Sequence, residues 1–200
     1  MEITLFHGSD RKIEPECIVF PGPREHCDFG PGFYLTDDRQ VAEEWVCRDD
    51  AAAVNTYRVL LPPSLVLSLK GTDWLRVVLG FRLRKYGVVF KSPVVHGLIA
   101  NDRLFDSLRD FTRGIIGDIR LMQCLDYCKL GSQYCLRERI DRLFLVDCCA
   151  LTAGQKRDAQ RRVLARRANM AGGLLGIYRT PAEGEKFVEE YLAWGDYREV

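Results

Sequence analysis

Three short stretches of this chain hold residue types suited to a polar ligand with a flat ring. Residues 5–9 read Leu5-Phe6-His7-Gly8-Ser9, a histidine followed at once by glycine at the end of an apolar run. A strand end presents imidazole nitrogens to a polar ligand, and a glycine beside it lets the ligand approach bare backbone. Residues 30–36 read Gly30-Pro31-Gly32-Phe33-Tyr34-Leu35-Thr36. Two glycines turn the chain into a strand that puts Tyr34 and Thr36 on one face and Phe33 and Leu35 on the other. Trp45 follows eleven residues after Tyr34. Two such aromatics can sandwich a flat ring; Trp45 also lies on the apolar stripe of its helix and can serve as core. At residues 130–136 a glycine turn leads to a strand that starts at Gln133. Each stretch alone also has a plain structural reading.

The elements that would position these residues follow from apolar periodicity and breakers. Strands are predicted over 2–6, 33–36, 54–61, 65–69, 133–136 and 142–146, with further apolar runs at 88–90 and 94–100. Prolines and glycines crowd residues 10–32, which makes that segment a loop. Asp37 or Asp38 can cap a helix over 39–47, and Asp73 a helix over 74–85. Further helices are predicted over 103–111, 115–128, 155–170 and 183–194. The penultimate one carries Lys156, Arg157, Arg161, Arg162, Arg166 and Arg167 and ends at Gly172, Gly173 and Gly176. Its basic pairs fall five residues apart, so they spread around the helix. A solvated face, a dock for an acidic partner, or phosphate contacts are the readings it offers.

Hydrophobic residues make up 47% of the 200-residue chain and charged residues 28%, with a net charge of +1. That balance suits a globular chain and gives no overall field toward nucleic acid or membrane. No run approaches the roughly 18 apolar residues of a membrane helix, and the Met1-Glu2-Ile3 start has no basic leader. The eight cysteines then read as reduced thiols of a cytoplasmic protein. Cys124 and Cys128 are one helical turn apart with no histidine cluster beside them, so no metal site is predicted.

In order, Leu5-Phe6-His7-Gly8-Ser9, Gly32-Phe33-Tyr34, Trp45 and Gln133-Tyr134-Cys135-Leu136 resemble the ADP-ribosyltransferase superfamily, in its diphtheria-toxin and poly-ADP-ribose-polymerase branch with a His–Tyr–Glu triad. A closer likeness is to an uncharacterised, mostly bacterial group within it, domain-of-unknown-function family 3990, which has the same HGS, DFG-x-GFYLT and Gln-Tyr-Cys elements. The resemblance implies an α+β fold, an ADP-ribosyltransferase-like split antiparallel β-sandwich with flanking helices over 1–151. A helical C-terminal extension, 152–200, packs on it.

The same resemblance implies NAD as substrate, with His7, Tyr34 and Gln133 as the catalytic triad. His7, Gly8, Ser9, Gly32, Phe33, Tyr34 and Trp45 would bind the cofactor. Gly8 backbone would hold the nicotinamide carboxamide, His7 the adenosine ribose, and Tyr34 and Trp45 the nicotinamide ring. Gln133 would lie near the nicotinamide ribose. The implied activity is ADP-ribosyl transfer to a protein or nucleic acid acceptor, and the group's toxin-like character implies a small antitoxin-like partner. Gln133 departs from the triad's glutamate: an amide hydrogen-bonds a ribose but is no general base. That favours the alternative of a catalytically silent NAD-binding module or effector acting through partners. Asp102 is a candidate acid/base, or a residue that caps the flanking helix. Glu138, five residues after Gln133, faces the wrong side of a straight strand.

Overall fold

A computed structural model describes residues 2–23, 27–83, 87–100, 107–128, 130–193 and 197–200. The chain begins with β1 (Glu2–Ser9), and a single 3-10 turn at Pro15–Cys17 interrupts the loop that leads to β2 (Phe33–Leu35). Then follow α1 (Arg39–Val46), β3 (Ala53–Leu60), β4 (Val66–Ser68), α2 (Gly71–Leu83), β5 (Gly87–Val89) and β6 (Val94–Leu98). Next come α3 (Ser107–Thr112), α4 (Asp118–Cys128), β7 (Ser132–Leu136) and β8 (Leu143–Ala150). The chain ends with α5 (Ala153–Arg179), α6 (Val188–Leu192) and β9 (Tyr197–Glu199). The fold is α+β. No described helix is long and apolar enough to cross a membrane.

The first sheet runs β1-β3-β8 and is antiparallel throughout; the second runs β2-β7-β6-β4, with β4 parallel to β6. β5 and β9 form a small parallel pair. Strand alternation then builds layers. Leu5, Tyr57, Val59 and Leu143 of the first sheet meet Phe33, Leu35, Val94 and Leu136 of the second in one buried cluster. On the far side of the second sheet, Val95 and Cys135 pack with Trp74, Leu75 and Val78 of α2, Phe111 of α3, Leu121 of α4 and Tyr191 of α6. Ala42 and Val46 of α1 cover the outer face of the first sheet at Val54, with Phe6 and Leu151 alongside. Among the described residues, an isolated bridge between Phe6 and Thr36 joins the two sheets at their edges.

Local signals account for the early elements. Asp38 caps α1, its Oδ1 accepting from Gln40 N at 2.8 Å, a contact worth about 1 kcal/mol. The second expected cap is displaced. α2 starts at Gly71, whose φ of +52° turns the chain into the helix, so Asp73 lies in the first turn. β7 begins at Ser132, one residue ahead of Gln133, and β8 runs on to Ala150.

Two helices differ from the sequence reading for tertiary reasons. α5 does not stop at Gly172 but continues to Arg179. A Cβ on Gly173 would overlap the Tyr127 hydroxyl, so the glycine lets α4 and α5 meet there. That contact offsets a glycine's helical cost of about 1 kcal/mol. The helix expected over 183–194 is reduced to Val188–Leu192. Before it the chain turns at Gly184, with φ +75°, and Glu185 enters the core to meet Arg120.

Two arginines of α5 are paired with acids of another helix. Arg162 donates to Glu43 at 2.8 Å, and Arg166 forks onto Glu44 at 2.6 and 3.0 Å. These two arginines thus dock on the acidic residues of α1. Residues 152–200 pack on the rest through these pairs, through Val188 and Tyr191 in the helical core, and through β9 on β5.

Candidate functional site

β1 carries His7 to the point where the two sheets part. Its side chain shares the inward face with Leu5, and its ring centroid lies 4.3 Å from that of Phe33. His7 Nδ1 is 2.7 Å from the carbonyl oxygen of Tyr34. A carbonyl only accepts, so Nδ1 carries the hydrogen in this contact. Phe33 is buried and stands edge-on to Tyr57 at 5.7 Å, so its ring belongs to the inter-sheet core.

Gly8 comes next, and the ladder fixes where its backbone points. Phe6 N donates to Thr36 O at 2.8 Å, and Thr36 N donates to Phe6 O at 2.9 Å. Both polar groups of Phe6 thus face β2 and not β3. Leu60 N, opposite Glu2, turns likewise away from β1, donating to Arg142 O at 3.0 Å. In an antiparallel pair these orientations alternate. The N–H and C=O of Gly8, two residues past Phe6, therefore also point to the β2 side, beyond the last bridge. Nothing larger than glycine fits here: a Cβ would overlap Ala42 O and lie 3.0 Å from Val46 Cγ1. The same approach sets the α1 turn that carries Trp45 beside Gly8.

The other expected contacts have structural partners. Ser9 Oγ takes a bond from Asn55 Nδ2 at 2.9 Å, which anchors the following loop. A Cβ on Gly32 would overlap Cys135 Sγ, so this glycine lets the loop cross β7. Trp45 is 36% exposed and joins none of the buried clusters. Among the described residues no ring contact joins it to Tyr34. The Tyr34 hydroxyl donates to Gly30 O at 2.6 Å and accepts from Phe29 N at 3.0 Å. Burial pushes this phenol well above the ordinary tyrosine range, helped by the neighbouring thiols of Cys135 and Cys27.

Gln133 shares the face of the second sheet that carries Tyr34 and Cys135, since Tyr34 and Cys135 are cross-strand partners. It is 5% exposed. Its Nε2 donates to Asp28 Oδ2 at 2.6 Å and lies 3.4 Å from Leu98 O. Asp28 is buried too: Oδ2 also accepts from Ala100 N at 2.8 Å, and Oδ1 from Arg82 Nε at 2.7 Å. Thus the loop 28–30 holds both Tyr34 and Gln133. Sequence reasoning passed over Asp28 and Arg82. The signal was a charged residue set just ahead of Phe29-Gly30, inside a motif read only for its glycines and aromatics.

On the inward face, Tyr134 stacks on His96 with centroids 4.3 Å apart, and Ser132 Oγ lies 3.2 Å from both oxygens of Asp37. Burial lowers the His96 pKa against the opposing pull of Asp37. Asp102 lies outside the described residues. Glu138 is exposed beyond the end of β7. Among the described residues no three His, Cys, Asp or Glu side chains converge as a metal site.

The family model described as "Protein of unknown function (DUF3990)" matches residues 3–141. The match covers well over half of the chain, and the chain belongs to that family. It takes in β1 through β7 and every site residue named above, and stops ahead of β8. Neither the curated proteins nor the solved structures hold a match.

Proposed function

We propose that this member of the DUF3990 family binds NAD where β1 and β2 part, and transfers its ADP-ribosyl group to a protein or nucleic acid in the cytoplasm. The observation that carries the reading is the backbone of Gly8, with a donor and an acceptor turned to one side just past the Phe6–Thr36 bridge. A primary carboxamide such as that of nicotinamide offers one acceptor and one donor, and it complements that pair. His7 and Tyr34 meet beside it, in the order characteristic of ADP-ribosyltransferases, so the finer fold proposed is their split β-sandwich.

Within this reading the residues divide the work. Gly8 holds the carboxamide, Trp45 and Tyr34 flank the ring, and His7 holds the adenosine ribose. The amide nitrogen of Gln133 is spent on Asp28. Its Oε1 takes no bond from a described residue, and in this reading it accepts from a ribose hydroxyl. Cleavage of the glycosidic bond builds positive charge on the ribose, and an oriented carbonyl dipole favours it less than a carboxylate does. The missing carboxylate slows turnover by about 10²- to 10⁴-fold.

The same Gln133–Asp28 bond favours a second reading, an NAD-binding module without turnover that acts through a partner. One experiment separates the two. The protein is incubated with NAD labelled in its adenylate and with cell lysate, beside a His7→Ala control. Transfer predicts label on macromolecules that depends on His7. NAD binding without label or released nicotinamide selects the silent module, and absence of NAD binding removes both.

A further inference from the structure

Asp28 is a buried carboxylate that the NAD reading uses only as the partner of the Gln133 amide, and its surroundings say what position 133 must be. Oδ1 faces Arg82, with Nε at 2.7 Å and Nη2 at 2.5 Å; Oδ2 faces Ala100 N at 2.8 Å and Gln133 Nε2 at 2.6 Å. Arg82 Nη2 also donates to Ala100 O at 2.5 Å. Among the described residues one cation balances one anion, and every partner of the carboxylate is a donor. A carboxylate so engaged is no base for a substrate; it is a clamp.

We infer that Asp28 is the positioning residue for position 133: it requires a hydrogen-bond donor there and turns the carbonyl of Gln133 outward, as the acceptor of the nicotinamide ribose hydroxyl. The acceptor half rests on the NAD reading; the donor half does not. Gln133 has two N–H bonds, and they face Asp28 Oδ2 and Leu98 O. A half-turn of the amide would bring Oε1 against both of those oxygens. A glutamate would bring a second carboxylate to the place where Nε2 now stands, with Arg82 as the one cation of the clamp among the described residues. Two carboxylates so close cannot both ionise. The departure from the triad's glutamate is thus dictated by a residue 105 positions away.

Two measurements test the two halves. The first is the melting temperature of Gln133→Glu across pH 5–8. Among the described residues, the ionisable groups around position 133 are Asp28 and Cys27 in the loop, Arg82 on α2, Arg137 just past β7, and Tyr34 and Cys135 on the same sheet face. Burial pushes Cys135 up to about 12 and Tyr34 higher still, so both stay neutral over this range. The carboxyl introduced by Gln133→Glu, while protonated, donates to Asp28 as the amide does, and its folded pKa is raised. Its stabilising contribution is therefore present at low pH and lost as pH rises through that value. The variant is expected to melt near the wild type at pH 5 and roughly 5 °C or more lower at pH 8. Adding Asp28→Asn, which supplies a donor, should flatten the difference. An offset that is the same at every pH overturns the donor requirement.

The second measurement is binding of NAD and of its analogue lacking the 2′-hydroxyl on the nicotinamide ribose, by calorimetry. Wild type should prefer NAD by about tenfold, the worth of one good hydrogen bond. Asp28→Asn, which frees the Gln133 amide to turn, should lose that preference while remaining folded. An unchanged preference in Asp28→Asn overturns the positioning role. If wild type binds neither ligand, the NAD reading fails and the acceptor half with it, while the pH series still decides the donor half.

Discussion

The imidazole of His7 donates from Nδ1 to the backbone carbonyl of Tyr34 across 2.7 Å, and so ties the end of β1 to β2 just where the sheets part. One ring thereby fixes the mouth of the site and the strand that carries the neighbouring aromatic. His7→Ala should reduce NAD affinity by about tenfold, the loss of one hydrogen bond. Calorimetric titration of both proteins measures it. Equal affinities would mean that His7 serves the sheet junction and not the ligand.

Gly8→Ala should be more damaging than its size suggests. The added methyl overlaps Ala42 O, so α1 has to move off the sheet. Forcing one extra carbon into such a contact costs about 1–3 kcal/mol. Chemical denaturation gives the stability, and NAD titration of the same sample should show binding lost. A variant as stable as wild type would contradict the close approach of α1 to β1.

Glu185 should prove a keystone of the helical side. It accepts from Arg120 Nε at 2.7 and 2.9 Å and from Arg120 N at 3.1 Å, and both side chains are nearly sealed. Glu185→Ala strands a buried guanidinium and should cost about 3–5 kcal/mol. Burial works against the Glu185 carboxylate, but the Arg120 bonds outweigh it and hold its pKa below the usual range. Stability from this pair is therefore present above the unfolded pKa of about 4.3 and is lost as pH falls through the folded value. Glu185→Gln should shrink the acid limb of the stability curve, followed by denaturation at pH 2–6. An identical limb would contradict it.

A chain cut after residue 151 should not melt cooperatively. The cut removes Val188 and Tyr191 from the core, and strips Arg162 and Arg166 from Glu43 and Glu44. Tyr191 alone contributes a fully buried aromatic, and such losses run to about 3–5 kcal/mol each. Calorimetry of the truncated chain checks this. A sharp transition near that of the full chain would mark 1–151 as a self-sufficient unit.

What was legible in the sequence was local. Asp38 followed by the apolar stripe of α1, and the alternation around Tyr34 and Tyr57, announce their elements from within a few residues. The order of His7, Tyr34, Trp45 and Gln133 was readable for the same reason. The illegible parts depend on contacts between distant segments. Gly173 is tolerated in α5 because Tyr127 of α4 lies against it. Glu185 leaves a helical pattern because Arg120, 65 residues earlier, needs a carboxylate. Asp28 looked like a loop residue because its partners, Arg82 and Gln133, are 54 and 105 residues away.

The backbone amide of Gly8 is the most direct witness for the NAD reading, and amide NMR of the labelled protein can watch it. Adding nicotinamide should move the Gly8 resonance saturably, and nicotinic acid, whose carboxylate has no donor for the Gly8 carbonyl, should move it far less. A Gly8 resonance left in place by both nicotinamide and NAD would contradict the account.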